Sequence, residues 1–272
     1  MMESTEVSET FMGPKKNLGQ HFLTAVSYAK RIADSIPAVS GHGHVLEIGP
    51  GKGALSVHLV KRFPDFHCVE LDPDVIPALS GNLGPGHWTL HRENVLTFDF
   101  SKVGFPVHVT GNLPYSIGAL IIKKTLLYGN RVRSCTFMVQ REVAERIVAG
   151  PHTRKNGFLS IFCQFFGKPT ILFHIPRGAF FPSPNVDSSV FQLVIDDDPE
   201  KKIPSGKWAS FFEFVDKGFR MRRKMLVNTL DTTFEKSYWA RLLDELGVGP
   251  GARPEDLIAD QWLELYKKSC GP

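Results

Sequence analysis

The chain has no two cysteines close enough in sequence to suggest a zinc clip or a redox dithiol. Its four, Cys68, Cys135, Cys163 and Cys270, are widely spaced, which fits a reducing compartment. Long apolar runs are missing too: the stretch from Ile117 to Leu127 is broken by Gly118, Lys123 and Lys124, so no membrane span and no membrane partner are expected. The first residues carry Glu3, Glu6 and Glu9 with no basic residue before Lys15, the reverse of a signal or transit peptide. Residues 1–14 are therefore expected to be a disordered tail on a cytoplasmic, monomeric protein. There is no internal repeat and no low-complexity tract. Nor is there a large charge excess: a net charge of +4 permits a polyanionic partner without establishing one.

What is present is a chain of 272 residues, 42% hydrophobic, long enough for a large core with a smaller unit attached. Helical spacing of apolar residues from Thr24 to Ile36 is followed by short β-rich runs alternating with helical segments. The runs are His44 to Ile48, Phe66 to Leu71, Val107 to Thr110 and Cys135 to Val139. That alternation predicts an α/β fold with a parallel, doubly wound sheet. Two later runs, Thr170 to Ile175 and Ser189 to Ile195, are expected to pair antiparallel at the sheet's edge. Asp196-Asp197-Asp198-Pro199 and Lys201-Lys202 then read as a polar linker before a stretch of helices only. The expected division is a domain over 15–198 and a small all-helical domain over 199–272.

Between the first parallel strand and its helix lies E-I-G-P-G-K-G-A-L, with Glu47, Gly49, Gly51 and Gly53. Glycines here let the backbone turn tightly and approach a ligand. A Walker loop is excluded, because Leu46 stands where its first glycine belongs and Gly53 follows Lys52 in place of Ser or Thr. The next strand ends in Val69-Glu70-Leu71-Asp72, which puts Glu70 or Asp72 where a carboxylate would accept ribose hydroxyls. On this loop alone, NAD and S-adenosylmethionine (SAM) are both open.

Two features favour SAM. One is the spacing G-x-G-x-G, which departs from the G-x-G-x-x-G of dinucleotide binders. The other is G-N-L-P-Y-S, residues 111–116, at the carboxyl end of the strand containing Val107 to Thr110. Methylating an exocyclic amine requires turning its delocalised lone pair toward the methyl donor, which two hydrogen-bond acceptors can do by holding the amino protons. Asn112 can offer its side-chain oxygen, and Leu113 or Pro114 a backbone carbonyl, while Tyr115 offers a face on which a base can stack. Such chemistry rests on positioning and needs no strong base.

Taken together, K-N-L-G-Q-H-F-L (16–23), E-I-G-P-G-K-G-A-L (47–55), V-E-L-D (69–72), G-N-L-P-Y-S-I (111–117), Q-R-E-V-A-E-R-I-V-A (140–149) and F-P-S-P-N-V-D-S (181–188) resemble the rRNA adenine N6,N6-dimethyltransferase family. The likeness is greatest to its small-subunit (KsgA) branch and spans residues 15–230. The resemblance implies a Rossmann-like SAM-dependent methyltransferase fold with a small all-helical carboxyl-terminal domain. It also implies dimethylation of two adjacent adenosines in the 3′-terminal hairpin loop of 16S rRNA, with the small ribosomal subunit as partner. By motif match, His21 and Leu23 would cover the cofactor, Gly49 and Gly51 would approach its methionine part, and Glu70 would hold the ribose. Asn112, Leu113, Pro114 and Tyr115 would form the catalytic loop, with Asn112 also touching the cofactor, and Phe180 would stack on the flipped base opposite Tyr115. His21 stands where many members carry Asn, and Asn94 where the family usually has an Asp that contacts the adenine. Asn94 is the expected partner, with Glu93 the alternative if the loop is shifted by one residue.

For RNA, Lys217, Arg220, Arg222, Arg223 and Lys224 fall within eight residues with no acid among them, a phosphate-binding footprint. Lys15, Lys16, Arg141, Arg146, Arg154 and Lys155 are further candidates. His42 and His44 flank Gly43, but no second pair of ligands is visible near them in the sequence, so no metal is expected. Phe162, Phe165, Phe166, Phe211, Phe212 and Phe214 read as core. Three rival functions are a large-subunit rRNA methyltransferase of the antibiotic-resistance type, a non-catalytic RNA-binding assembly or transcription factor, and an NAD-dependent oxidoreductase.

Overall fold

In the computed structural model, residues 20–38, 43–195, 198–230 and 234–270 are described. The expected tail, Lys15, Lys16, His42, Asp196 and Asp197 fall outside them. The chain runs β1 (Phe22–Leu23), α1 (Val26–Ser35), β2 (His44–Ile48), α2 (Ser56–Arg62), β3 (Phe66–Val69), α3 (Ile76–Leu83) and β4 (Trp88–His91). It continues through β5 (Val107–Asn112), α4 (Gly118–Leu126), β6 (Val132–Gln140), α5 (Arg141–Ile147), α6 (Phe158–Phe166), β7 (Lys168–Ile175), β8 (Phe180–Phe181) and β9 (Ser188–Val194). Helices α7 (Trp208–Arg220), α8 (Lys236–Glu245) and α9 (Ala259–Ser269) close it.

Seven strands form one sheet in the order β4-β3-β2-β5-β6-β9-β7, parallel from β4 to β6 and antiparallel at β9 and β7. The two late runs do pair antiparallel as the sequence suggests, with β9 inserted between β6 and the edge strand β7. Strand β4 escaped the sequence reading because W-T-L-H is short and only half-buried at the opposite edge, with no run of β-branched residues to announce it. Strand order reverses at β2, which pairs with β3 on one side and β5 on the other. The carboxyl ends of those two strands are where an open α/β sheet leaves its crevice.

The polar stretch around residue 198 does not mark a gap in the core. Phe162, Phe165 and Phe166 of α6 meet α7 across it: Phe162 lies 4.4 Å from Phe212, Phe165 5.3 Å from Phe211, and Phe166 5.2 Å from Trp208, ring centre to ring centre. One hydrophobic cluster therefore runs from the sheet (Leu46, Val109, Phe137) through α6 into Trp239 and Trp262 of the last helices. A second cluster on the other sheet face joins Val45 and Phe66 to Ile32 of α1 and to Phe180.

Gly218 shows how closely the helical region is fitted. A Cβ there would sit 2.4 Å from the Trp262 ring, which is fully buried and cannot retreat. Helix propensity alone would favour Ala by about 1 kcal/mol, but overpacking costs about 1–3 kcal/mol. Gly218→Ala should therefore lower the melting temperature by several degrees. Gly81→Ala, on exposed α3 with nothing within 4 Å of the new methyl, should hold or raise it. Equal shifts in the two thermal melts would show that the α7 and α9 contact is looser than described.

Candidate active site

A cavity of about 400 Å³ opens where β2, β3 and β5 end. Its wall includes Gln20 to Leu23, Glu47, Gly49 to Lys52, Glu70, Leu71, Glu93, Asn94 and Asn112 to Tyr115. His21, Leu23, Gly49, Gly51, Glu70, Asn94 and the four residues of the catalytic loop all reach it, whereas Asp72, the alternative to Glu70, does not line it.

Glu70 organises the floor. Its Oε2 accepts the Gly51 N–H at 3.0 Å, and its Oε1 accepts the N–H groups of Leu71 at 2.8 Å and Asp72 at 2.9 Å. Burial pushes its carboxyl above the ordinary range, against the downward pull of those three donors. The remaining glycine N–H groups are also committed, Gly49 to the Val69 carbonyl and Gly53 to the Pro50 carbonyl. A pyrophosphate cradle needs free N–H groups, and this loop offers a phosphate none of its three glycine donors. The cavity wall instead carries two buried acids, Glu47 and Glu70. It fits a nucleoside that carries no phosphate better than a dinucleotide.

Above the floor, β5 is drawn against β2 so closely that a side chain at Gly111 would collide with the Ile48 carbonyl at 2.4 Å. The strand therefore delivers Asn112 directly over the glycine loop. Asn112 Nδ2 donates to the His21 carbonyl at 2.9 Å, which leaves its Oδ1 with no partner among the described residues. The backbone carbonyl left open in the sequence reading is now distinguishable. That of Pro114 accepts the Ile117 N–H at 3.2 Å, whereas that of Leu113 accepts no backbone bond among the described residues. Tyr115 is half-buried, with its hydroxyl 2.8 Å from Ser188 Oγ and its ring stacked on His21 at 5.4 Å. His21 is itself fixed: its Nδ1 donates to the Pro182 carbonyl at 2.8 Å.

Two expectations need adjusting. Phe180 does not line the cavity: it is 4% exposed and pairs with Leu23 across the β1–β8 ribbon, in the core beneath α1. Successive residues of a strand face opposite ways, so the ribbon turns Phe181, 55% exposed, outward instead. Of the two candidates for an adenine contact, Glu93 is held by Lys102 at 2.7 Å, while Asn94 accepts the Leu96 N–H at 2.9 Å and its amide donors have no partner among the described residues. Asn94 can therefore donate to an acceptor on the adenine edge through its amide.

The basic run also looks different once folded. The acids absent between 217 and 224 lie one helical turn earlier: Glu213 pairs with Lys217 at 3.1 Å and Asp216 with Arg220 at 2.9 Å. Arg222 is committed to the carbonyls of Arg154 and Asn156, at 2.7 and 3.0 Å. Arg223 and Lys224 are exposed with no ion pair among the described residues. Arg222 also borders a cleft shared with Arg146, Arg154 and Lys155, residues far apart in sequence.

The model of the ribosomal RNA adenine dimethylase family matches residues 13–269 of the chain. The chain belongs to that family. Among curated relatives, the ribosomal RNA small subunit methyltransferase A of Xanthomonas campestris is 37% identical over 263 residues, which covers 95% of this chain and 98% of that protein. The protein of the same name from Thiobacillus denitrificans is 39% identical over 248 residues, 91% of this chain and 94% of the relative. Among solved structures, a dimethyladenosine transferase from Plasmodium falciparum superposes with a TM-score of 0.74 at 22% identity, covering 92% of this chain and 98% of the other. The 23S rRNA methyltransferase ErmE gives 0.72 at 23% identity, covering 91% and 98%. These two show that the fold is shared: a Rossmann-like methyltransferase sheet with helices.

Within this adenine dimethylase, the roles of three residues of the site escaped the sequence reading, as did the state of a fourth. Leu71, 55% exposed at the end of β3, forms an apolar shelf in the cavity, and an uncovered leucine just after a strand was its only signal. Ser188 anchors Tyr115, and Ser56 bonds Glu47 at 2.6 Å. Glu47 was visible as an acid inside the apolar strand H-V-L-E-I, but its state was not. Burial raises its carboxyl to about 8, with the Ser56 bond opposing.

That shift sets a pH dependence. Because Glu47 holds its proton more tightly folded than unfolded, its contribution to stability is full below about pH 4.5 and is lost as pH rises through about 8. Glu47→Gln, neutral throughout, should flatten the wild-type decline between those values, an effect on the order of a few kcal/mol. Urea unfolding of the cofactor-free protein at pH 5, 7 and 8.5 checks it, and parallel profiles for the two proteins would refute the assignment.

Proposed function

We propose that this protein uses SAM to methylate N6 of two adjacent adenosines in the 3′-terminal hairpin loop of small-subunit (16S) rRNA during ribosome assembly, acting as a cytoplasmic monomer. The observation that carries the reading is the pair of unengaged acceptors, Asn112 Oδ1 and the Leu113 carbonyl, presented at the rim of a cavity with acids in its wall. The small-subunit assignment is supported by relatives of that name at 37–39% identity over nearly the whole chain. The likeness to the 23S enzyme is one of fold.

When bound, SAM supplies a methyl carbon made electrophilic by a cationic sulfur. Gly49 and Gly51 approach its methionine part, and Glu70, with three of about four acceptor sites filled, keeps one for a ribose hydroxyl. Leu71 supports the adenine and Asn94 meets its edge. On the substrate side, Asn112 Oδ1 and the Leu113 carbonyl each hold one amino proton of the target base and turn the nitrogen lone pair into the cavity. Tyr115, braced by His21 and Ser188, carries the base on its ring. Pro114 fixes the turn between the acceptors and the aromatic ring, and Phe180 supports Leu23 and so the strap bearing His21. Arg223 and Lys224 meet RNA phosphates, together with the cleft bordered by Arg146, Arg154, Lys155 and Arg222. Lys217 and Arg220 contribute from exposed ion pairs, which are weak enough to exchange partners.

The test is transfer of labelled methyl from SAM to small subunits lacking the modification, with large subunits and naked rRNA alongside. Label is expected at adenosine N6 in small subunits, reduced about 100-fold or more by Asn112→Ala. Label in large subunits would favour the resistance-type reading, and tight RNA binding with no label would leave a non-catalytic assembly factor. In the same system, Arg223→Glu with Lys224→Glu should weaken subunit binding and reduce the slope of log affinity against log salt by about 2. An unchanged slope would remove both residues from the interface.

A further inference from the structure

At the opposite end of β2 from the glycine loop, folding assembles a cluster that the sequence keeps apart. His44 opens β2, Asp65 precedes β3, and His67 is the second residue of β3. One ligand-type atom from each lies within 4.8 Å of the other two. His44 Nδ1 is 2.5 Å from Asp65 Oδ2, and His67 Nε2 is 2.9 Å from Asp65 Oδ1. We propose that His44, Asp65 and His67 form a binding site for a borderline divalent transition metal, with zinc as the best fit.

Three observations carry this. First, His44 Nδ1 is buried and makes no properly oriented hydrogen bond, even though the carboxylate is so near. A carboxylate bridging two histidines by ordinary hydrogen bonds would satisfy both rings, whereas here the His44 Nδ1 is left without one. Second, the rings are held. A Cβ at residue 104 would come within 2.5 Å of His44 Nε2, so Gly104 is what leaves room for the ring in this position. His67 Nδ1 is 3.1 Å from His91 Nε2, and the two rings stack at 5.3 Å. Metal-binding histidines generally donate their other ring N–H to an acceptor that fixes the tautomer. His91 fits that part by position, its Nε2 facing His67 Nδ1.

Third, the donor set is selective. Two imidazoles and one carboxylate suit zinc, with a fourth tetrahedral position for water, and do not suit calcium or magnesium, which take oxygen ligands. Ligand bonds near 2.0–2.1 Å require donor atoms about 3.4 Å apart, so the present spacings need open by roughly 1 Å or less. Sequence reasoning saw His42 and His44 and found no second pair of ligands. Residue 42 lies outside the described residues, and strand pairing supplies the partners from 21 and 23 positions beyond His44. The cluster is about 13 Å from the cavity end of β2, so its role is to clip the starts of β2 and β3 together.

The test uses the full-length, tag-free protein stripped with chelator. Zinc is titrated in competition with a chromophoric chelator, and cobalt is followed by its visible absorption. One tight equivalent of zinc, with a cobalt spectrum of tetrahedral type and a melting temperature that rises with zinc concentration, is expected. His44→Gln, Asp65→Asn and His67→Gln should each abolish the tight equivalent. His91→Leu should keep the stoichiometry and weaken affinity about 10- to 100-fold, and exposed His87→Gln should change nothing. Circular dichroism in chelator verifies that the variants fold. The wild-type cobalt spectrum needs no variant, so absence of tight binding there overturns the site, as does zinc affinity unchanged in folded His44→Gln and His67→Gln.

Discussion

The Glu70 carboxylate is the point from which the site is built. It is nearly buried, and an acid in that position is tolerable only because three backbone N–H groups converge on it. Those same bonds tie the glycine loop after β2 to the end of β3, and they consume the donor that a phosphate would otherwise use. One buried charge thus fixes the loop's shape and decides what class of ligand the loop can accept. Glu47, in the wall of the same cavity, meets burial differently: with Ser56 as its hydrogen-bond partner, its carboxyl is pushed up to about 8.

The lid is assembled from segments that only tertiary contact brings together. Asn112 holds the backbone of His21, His21 stacks on Tyr115 and donates to Pro182, and Tyr115 reaches Ser188. A ring of contacts therefore links the amino-terminal strap, the loop after β5 and the β8–β9 connection. Each of the three carries a motif, and each motif is incomplete without the others. The helical region is joined to the sheet by the same logic at larger scale, through aromatic rings of α6 and α7 packed against one another in one hydrophobic cluster.

Much of this was legible from residues alone, and for identifiable reasons. The parallel strands announce themselves as short apolar runs between helical patterns because both faces of such a sheet are covered. Strand β4 did not, since an edge strand with half-exposed residues carries no such signature. The cavity-lining residues fell where strand ends must lie in a doubly wound sheet. Phe180 was misplaced because a motif match assigns a residue type to a role but does not say which way its strand faces. The basic run was read without its acids because those sit one helical turn away, adjacent in space and not in the window of eight.

The sequence by itself determined the fold class, the family motifs and the residues from which the site is drawn, because periodicity and loop chemistry are local properties of the chain. Only the tertiary structure decided which carbonyl of the Asn112 loop is free, which glycine donors are spent, that burial raises the Glu47 carboxyl, and that His44, Asp65 and His67 share a corner. The Glu47 shift and the histidine cluster depend on burial and strand pairing contributed by other segments, and the free carbonyl and spent donors on the path the folded loops take, which residue types alone do not encode.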